Sequence, residues 1–331
     1  MIYIFLFLIS FALTYYIRKM AIEKSLVDIP NERSSHTVAT PHGGGIAIAI
    51  TWFFGISYLF YQNDIDSSLY YVLLVGIVIS VVSYFDDLYE LSAKLRLLTQ
   101  ALVAMSGLYL LGGLEQIDFI VFSIDNQILT NLFAFFLIIW FINLYNFLDG
   151  IDGYASSEAI FLGLSGFLLF GDSHFLVLIF AVLGFLVWNW HKAKIFMGDV
   201  GSTWLAFMVF ALALLSVQAG WLNYAVWLVL AAVFVTDATV TLLTRMLRGE
   251  RWYEAHNRHA YQRLSRRWQG DRHAGQRSVT LLVVTVNGLC LAPLAWACMQ
   301  WPEESVTFVV VAYVPLVLTA LWLGAGRPAP L

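Results

Sequence analysis

Residues 130–153 read TNLFAFFLIIWFINLYNFLDGIDG. From Leu132 to Ile142 every residue is apolar, and a helix crosses a bilayer with about 20 such residues. The pattern then changes: Asn143, Asn146, Asp149 and Asp152 stand at every third position. Ionised groups are costly inside a bilayer. The stretch therefore predicts a membrane helix over 130–148 that delivers amides and carboxylates to one membrane face. Steps of three keep Asn143, Asn146 and Asp149 on one broad side of that helix. Gly150 and Gly153 let the chain turn behind it and approach a ligand closely.

The rest of the chain extends the apolar half of this pattern. Its 331 residues are 60% apolar and only 12% charged, against about 25% charged in an ordinary soluble domain. That excludes a disulfide-stapled secreted domain, a disordered chain and a nucleic-acid binder. Eleven segments read as spans: 1–17, 44–62, 69–85, 97–113, 130–148, 155–171, 174–190, 202–220, 222–244, 279–299 and 305–323. With the N-terminus outside, all 18 Lys and Arg residues fall in or beside the inner segments, as the positive-inside rule requires. The outer loops carry acids such as Asp64, Asp66, Glu303 and Glu304. The first span has no basic residue before it and no small-residue cleavage site after it, so it reads as a retained helix. The expected fold is an all-α polytopic membrane protein of about eleven transmembrane helices, a single domain over 1–331. Its N-terminus is periplasmic and its C-terminus cytoplasmic. Alternating Ile117, Phe119 and Val121 predict a small periplasmic hairpin within 114–129. Residues 279–331 read as two chemically plain helices. Cys290 and Cys298, eight positions apart on one helix, are too distant to bridge and read as apolar fillers.

Acids at the inner face need more explanation than bases there. Asp86 and Asp87 are adjacent at the end of the third span, with Lys94 and Arg96 behind them. They read either as a hydrated capping pair or as a charged site. Phe196-Met-Gly-Asp199-Val-Gly-Ser202 precedes the eighth span, where a helix N-terminus suits an anion such as phosphate or is capped by Asp199 itself. The long inner loop holds Arg245, Arg248 and Arg251, then His256-Asn-Arg258-His259. Arginine donates bidentately to phosphate; the Arg-rich flanks equally suit a topology anchor against anionic lipid. Two histidines three apart lack the further ligands of a zinc site. Gly43, Gly44 and Gly45 at the second span mark close helix packing or a backbone that approaches phosphate. Asp237, inside the ninth span, faces a polar interior.

All of these groups converge on the cytosolic side. Carboxylates, Asn oxygens, cationic donors and glycine-flanked backbone are what phosphoryl transfer requires, where positioning and charge neutralisation do most of the work. Mg2+ takes few protein ligands and completes its shell with phosphate and water.

Taken in order, the motifs Asp86-Asp87, Asn143-x-x-Asn146-x-x-Asp149-Gly-Ile-Asp152-Gly, Phe196-Met-Gly-Asp199-x-Gly-Ser202 and His256-x-Arg258-His259 resemble those of polyprenyl-phosphate N-acetylhexosamine-1-phosphate transferases. The leader Asp28-x-Pro30-Asn31-x-Arg33-Ser-Ser-His36-Thr-x-x-x-Pro41-x-Gly43-Gly44 is similar to the bacterial branch that includes the O-antigen initiating enzymes. The resemblance covers residues 1–265. It implies a cytosolic cleft and transfer of a sugar 1-phosphate from a UDP-N-acetyl-sugar (UDP-GlcNAc or UDP-FucNAc) to undecaprenyl phosphate in the bacterial inner membrane, with release of UMP. It implies Mg2+ (or Mn2+) held by Asn146 and Asp199, Phe196 stacked on uracil and Asp152 hydrogen-bonded to it. Asn143, Asp149, Gly43 and Gly44 would line the substrate site. Arg258, His256 and His259 would contact the pyrophosphate or sugar. Asp86, Asp87, Lys94 and Arg96 would handle the lipid phosphate. No nucleic acid is implied, and a homodimer is compatible with it. A muramyl-pentapeptide substrate is disfavoured because the last loop lacks a longer histidine run. The rival class is a transporter of a lipid-linked or nucleotide sugar; it would place its site near the midplane between repeats, and no internal repeat is evident.

Overall fold

The computed structural model describes residues 1–30, 38–89, 91–118, 123–220, 223–251, 256–268 and 272–328. Each predicted span falls on a helix or a helix pair. In order these are α1 Ile2–Glu23, α2 Gly45–Tyr61, α3 Ser67–Tyr89, α4 Ala93–Leu110, α5 Gln127–Phe147, α6 Tyr154–Phe170, α7 Ser173–Asn189, α8 Asp199–Gln218, α9 Tyr224–Leu230, α10 Ala232–Leu247, α11 Ala260–Arg267, α12 Arg272–Val286, α13 Ala292–Gln300 and α14 Ser305–Leu323. Among the described residues six stretches are long and apolar enough to cross a membrane, α1, α3, α5, α8, Ala274–Gln300 and Pro302–Leu323, or seven if the bent pair Tyr224–Leu230 and Ala232–Leu247 is one span. The protein is thus an all-α membrane protein.

Two departures from the expected spans stand out. The single helix expected over 222–244 is two, α9 and α10, bent by 74°. Sharp bends usually sit at Pro or Gly, and Tyr224–Leu247 contains neither; only tertiary packing distinguishes this bend. In the span over 279–299, a π-turn at Asn287–Leu291 joins α12 to α13. It lies just before Pro293, which supplies no N–H and whose ring crowds the carbonyl four residues back.

The predicted hairpin is present as a pair of two-residue strands, Ile117–Asp118 against Ser123–Ile124. Phe119, Val121 and Phe122 lie outside the described residues, as do Asn31, Arg33 and His36 of the leader. Cys290 is exposed and Cys298 buried, and both are free thiols.

The central helix is α8. Inside its apolar stretch 78% of residues are buried, against 39% or less in the other five. Helices α2, α3, α5 and α6 pack on it, with Trp52, Trp204 and Phe207 fully enclosed. Glycine sets the closest approach. A methyl group on Gly45 would run into the backbone of Gly201. The Gly44 and Gly45 amides donate to the carbonyls of Phe196 and Met197 at 2.9 and 2.8 Å. Of the two readings of the glycine run, packing accounts for Gly44 and Gly45. Gly43 turns the chain at φ +87°. A short ribbon, Val27–Asp28 against Thr40–Pro41, leads into this contact.

At the same end of the bundle, α11 is docked by Asp237. This buried carboxylate accepts from the Ala260 and Tyr261 amides at 2.9 and 2.8 Å and pairs with His259 Nδ1 at 3.1 Å. It therefore satisfies N–H groups that any helix start leaves open.

Two outcomes follow from this packing. Gly45→Ala and Gly201→Ala should each lower stability by about 1–3 kcal/mol through overpacking. Gly288→Ala, whose side chain would meet open space, should leave the melting midpoint in detergent near wild type. Asp237→Ala should cost about 3 kcal/mol or more, because the buried Ala260 and Tyr261 amides and the His259 ring lose their acceptor. Hydrogen exchange should then rise across 260–267 while α8 stays protected.

Candidate active site

Helix α8 begins at Asp199, as the sequence suggested, but the Asp199 side chain does not cap it. The carboxylate of Asp87, carried by the last turn of α3, accepts from the Asp199 amide at 3.0 Å and the Val200 amide at 3.4 Å. Gly198 makes room for it: a Cβ there would stand 2.6 Å from Asp87 Oδ2. The anion expected at this helix end is a side chain of the protein itself. Its neighbour Asp86 turns the other way. It accepts from the Leu91 amide at 2.7 Å, and Arg96 approaches it at 3.4 Å. The same guanidinium stands 3.8 Å from Asp199 Oδ2. Lys94 is exposed on the first turn of α4 and lines neither of the cavities described below.

The Asn/Asp ladder divides between two cavities. Helix α5 ends at Phe147, so Asp149 lies past the helix end, not on its face. Asn143 donates to Gln100 Oε1 at 2.7 Å and to the Ile139 carbonyl. Asn146 accepts from Ser202 Oγ at 2.7 Å, tying α5 to the start of α8. Asp152 accepts from the Ala193 amide at 2.9 Å. Gly153 provides the turn at φ +70°. Gly150 is needed for another reason: a side chain there would collide with the Tyr261 hydroxyl.

The first cavity, about 570 Å³, is polar; its walls include Asp87, Asn146, Asp149, Gly150, Asp152, Phe196 and Asp199. Asp28, His42, Asn189, Gln262 and Gln276 complete it. The second, about 390 Å³, is walled by Ile79, Val82, Leu97, Phe136, Ile139 and Trp140 and headed by Asp86, Arg96 and Asn143. Asn146 and Asp199 line both. Burial, with Asp199, Asp87 and Asp152 nearby, holds the Asp149 carboxyl well above the usual carboxylate range.

That crowding of acid is the observation against which a divalent cation is tested. Among the described residues no three acidic, histidine or cysteine side chains surround one point, so there is no preformed cage. Mg2+ does not need one: one or two protein oxygens suffice when phosphate and water supply the rest. Asn146 and Asp199, at the junction of the cavities, suit that mode.

The last-loop residues are placed differently from expectation. None of His256, Arg258 and His259 lines either cavity. His259 is buried against Asp237 and starts α11 with a capping box to Gln262. Arg258 pairs with Glu250 at 2.6 Å, and Arg245 and Arg248 reach the same carboxylate at 3.3 and 3.4 Å. Although burial raises it, these guanidiniums hold Glu250 below its ordinary value. His256 is pushed down to about 3 by burial and by His259, Arg245 and Arg258; its neutral Nδ1 accepts from the Arg258 amide.

Sequence reasoning gave no site role to Asp28, although it opens the leader motif, and missed His42, Asn189, Gln262 and Gln276. Gln276 had a faint signal, as a carboxamide just before an apolar run. It also missed the docking role of Asp237.

Comparison with known proteins gives the site a family. The model of glycosyl transferase family 4 matches residues 69–217, the stretch from α3 to α8 that carries the Asp pair, the ladder and Asp199. An undecaprenyl-phosphate alpha-N-acetylglucosaminyl 1-phosphate transferase of Yersinia pestis is 30% identical over 297 residues, covering 83% of this chain and 78% of the relative. The like-named protein of Thermotoga maritima is 30% identical over 198 residues, 59% of this chain and 58% of the relative. A phospho-N-acetylmuramoyl-pentapeptide-transferase of Halalkalibacterium halodurans is 28% identical over 277 residues, 76% of this chain and 83% of the relative. By motif order and by this likeness, the chain belongs to glycosyl transferase family 4, among the polyprenyl-phosphate hexosamine-1-phosphate transferases.

Proposed function

We propose that the protein transfers an N-acetylhexosamine 1-phosphate from a UDP-N-acetyl-sugar, UDP-GlcNAc or UDP-FucNAc, to undecaprenyl phosphate as the first step of O-antigen assembly. The observation that carries this reading is the meeting of a polar and an apolar cavity at Asn146 and Asp199. A water-soluble donor suits the first and a lipid acceptor the second. The names of the relatives support the acceptor and the reaction type. The separation of charge along the sequence supports eleven crossings of the inner membrane, an outer N-terminus and a cytoplasmic cleft.

In the donor cavity Phe196 stacks on the uracil and Asp152 hydrogen-bonds it, while Asp149 and Gly150 bound the remaining space; Gly43 and Gly44 line neither cavity and act through the turn and the packing that seat Phe196. Mg2+ or Mn2+, held by Asn146 and Asp199, would neutralise the pyrophosphate charge. Arg258 reaches the donor phosphates by exchanging Glu250 for them, with His256 beside it. His259 acts through α11. In the acceptor cavity the apolar wall takes the first isoprene units and Arg96 takes the phosphate, with Lys94 adding charge at the approach and Asn143 at its rim.

The chemistry then needs little base. A phosphate monoester has a second pKa near 6, so the lipid phosphate is largely dianionic at pH 7–8. One of its oxygens attacks the β-phosphorus. The bond from that phosphorus to the bridging oxygen breaks, and UMP leaves with the electron pair. Both oxygens of Asp87 are engaged by the α8 amides, which favours direct displacement over an aspartyl-phosphate intermediate; the former inverts at phosphorus and the latter retains. Asp86, held by Leu91 and Arg96, orients that guanidinium.

The test uses membranes from a host lacking its own enzyme of this type, with Mg2+, undecaprenyl phosphate and each UDP-sugar in turn. UMP release should require the lipid and the metal and should stop with a chelator. Asp199→Asn, inserted normally, should lose about a hundredfold or more of turnover. Failure of every UDP-sugar in correctly inserted wild-type protein would overturn the reading. Arg96→Ala should raise KM for the lipid phosphate by about ten- to a hundredfold, the range for a lost charge-assisted hydrogen bond, with the donor KM nearly unchanged.

A further inference from the structure

Helix α12 begins ahead of the span expected over 279–299 and brings Gln276 to the donor cavity. Gln276 lies on α12, is 2% exposed, and lines the same polar cleft as Asp152 and Phe196. Its helix is seated there by two contacts. Thr280 Oγ1 donates to the Asp152 carbonyl at 3.2 Å, and Gly275 lies against the Ser265 carbonyl of α11, where any side chain would collide. Positions 276 and 280 share a helix face. Gln276 therefore stands one turn from the contact that grips the Asp152 loop.

We infer that Gln276 reads the imide edge of the donor's uracil, beside Asp152. This rests on the reading of the donor as a UDP-sugar. A carboxamide presents an acceptor and a donor side by side, and uracil presents the complementary N3–H and carbonyl oxygen. Asp152 offers acceptors only, and its Oδ2 is shared with the Ala193 amide. An uncharged amide is also the suitable partner for the neutral end of a nucleotide, whereas the phosphates belong with cations. The last spans thus contribute to nucleotide recognition, and α12 serves as a wall of the donor cavity.

Gln276→Met keeps the side-chain volume and removes the amide. The inhibition constant of UMP and the KM values of both UDP-sugars should rise together by about tenfold, the scale of one lost hydrogen bond left without a partner. The turnover number at saturating donor should stay within about twofold, and the preference between the two sugars should not move. Purified protein in detergent gives a second readout: thermal stabilisation by UMP alone should shrink in the variant. An unchanged UMP constant would overturn the inference, as would a KM change confined to one sugar, which would assign Gln276 to the sugar instead. If Gln276→Met does not accumulate, Gln276→Asn, which draws the same amide back by one methylene, is read in the same way. UMP stabilisation is measured without turnover, so failure of this inference is distinguishable from failure of the transfer reaction.

Discussion

The arrangement of this protein depends on a carboxylate seated on a helix end. Asp87 closes the N-terminus of α8 from the last turn of α3. A helix start carries open N–H groups and a partial positive charge, so the contact satisfies both at once. It also fixes where Asp199 begins and how α3 meets α8. Asp86, the preceding position on the same turn, engages Arg96, and Arg96 stands near Asp199. Ser202, one turn along α8, engages Asn146. This capping contact thereby stands at the meeting of α3, α4, α5 and α8 and of the polar groups at the junction of the cavities.

A second carboxylate does comparable work for the last loop. Asp237 lies in the buried half of a bent helix pair and holds the start of α11. Tyr261 then reaches the Phe147 carbonyl at 3.2 Å and Gln262 reaches the cleft edge. Both acids are costly within an apolar bundle, and both are matched by backbone amides, which is the condition for retaining them there. The glycines act in the complementary way. Gly45, Gly198 and Gly150 remove side chains wherever a backbone, an acid or a hydroxyl must pass.

Much of this was legible beforehand. Apolar run length placed each expected span on a helix or a helix pair, since that signal depends on the bilayer as solvent and not on neighbours. The spacing from Asn143 to Asp152 and the start of α8 at Asp199 were visible because they are local. What was not legible depends on tertiary contact. No sequence rule pairs Asp87 with an amide 112 positions away. The bend at Ala231 has no Pro or Gly to announce it. His259 reads as a ligand-binding residue in isolation and is a buried partner of Asp237 in the fold. Gln276 carries no motif that marks it, and only the packing of α12 on the Asp152 loop brings it to the cleft.

The shared wall between the two cavities has a thermodynamic corollary. Because Asn146 and Asp199 face both spaces, an occupant of one changes the electrostatic environment of the other. Linkage makes that influence symmetric: whatever affinity the first guest lends the second, the second returns to the first. Two anionic guests would repel across this wall, while a cation at the junction would reverse the sign. The wall thus couples the occupancy of the polar cavity to that of the apolar one.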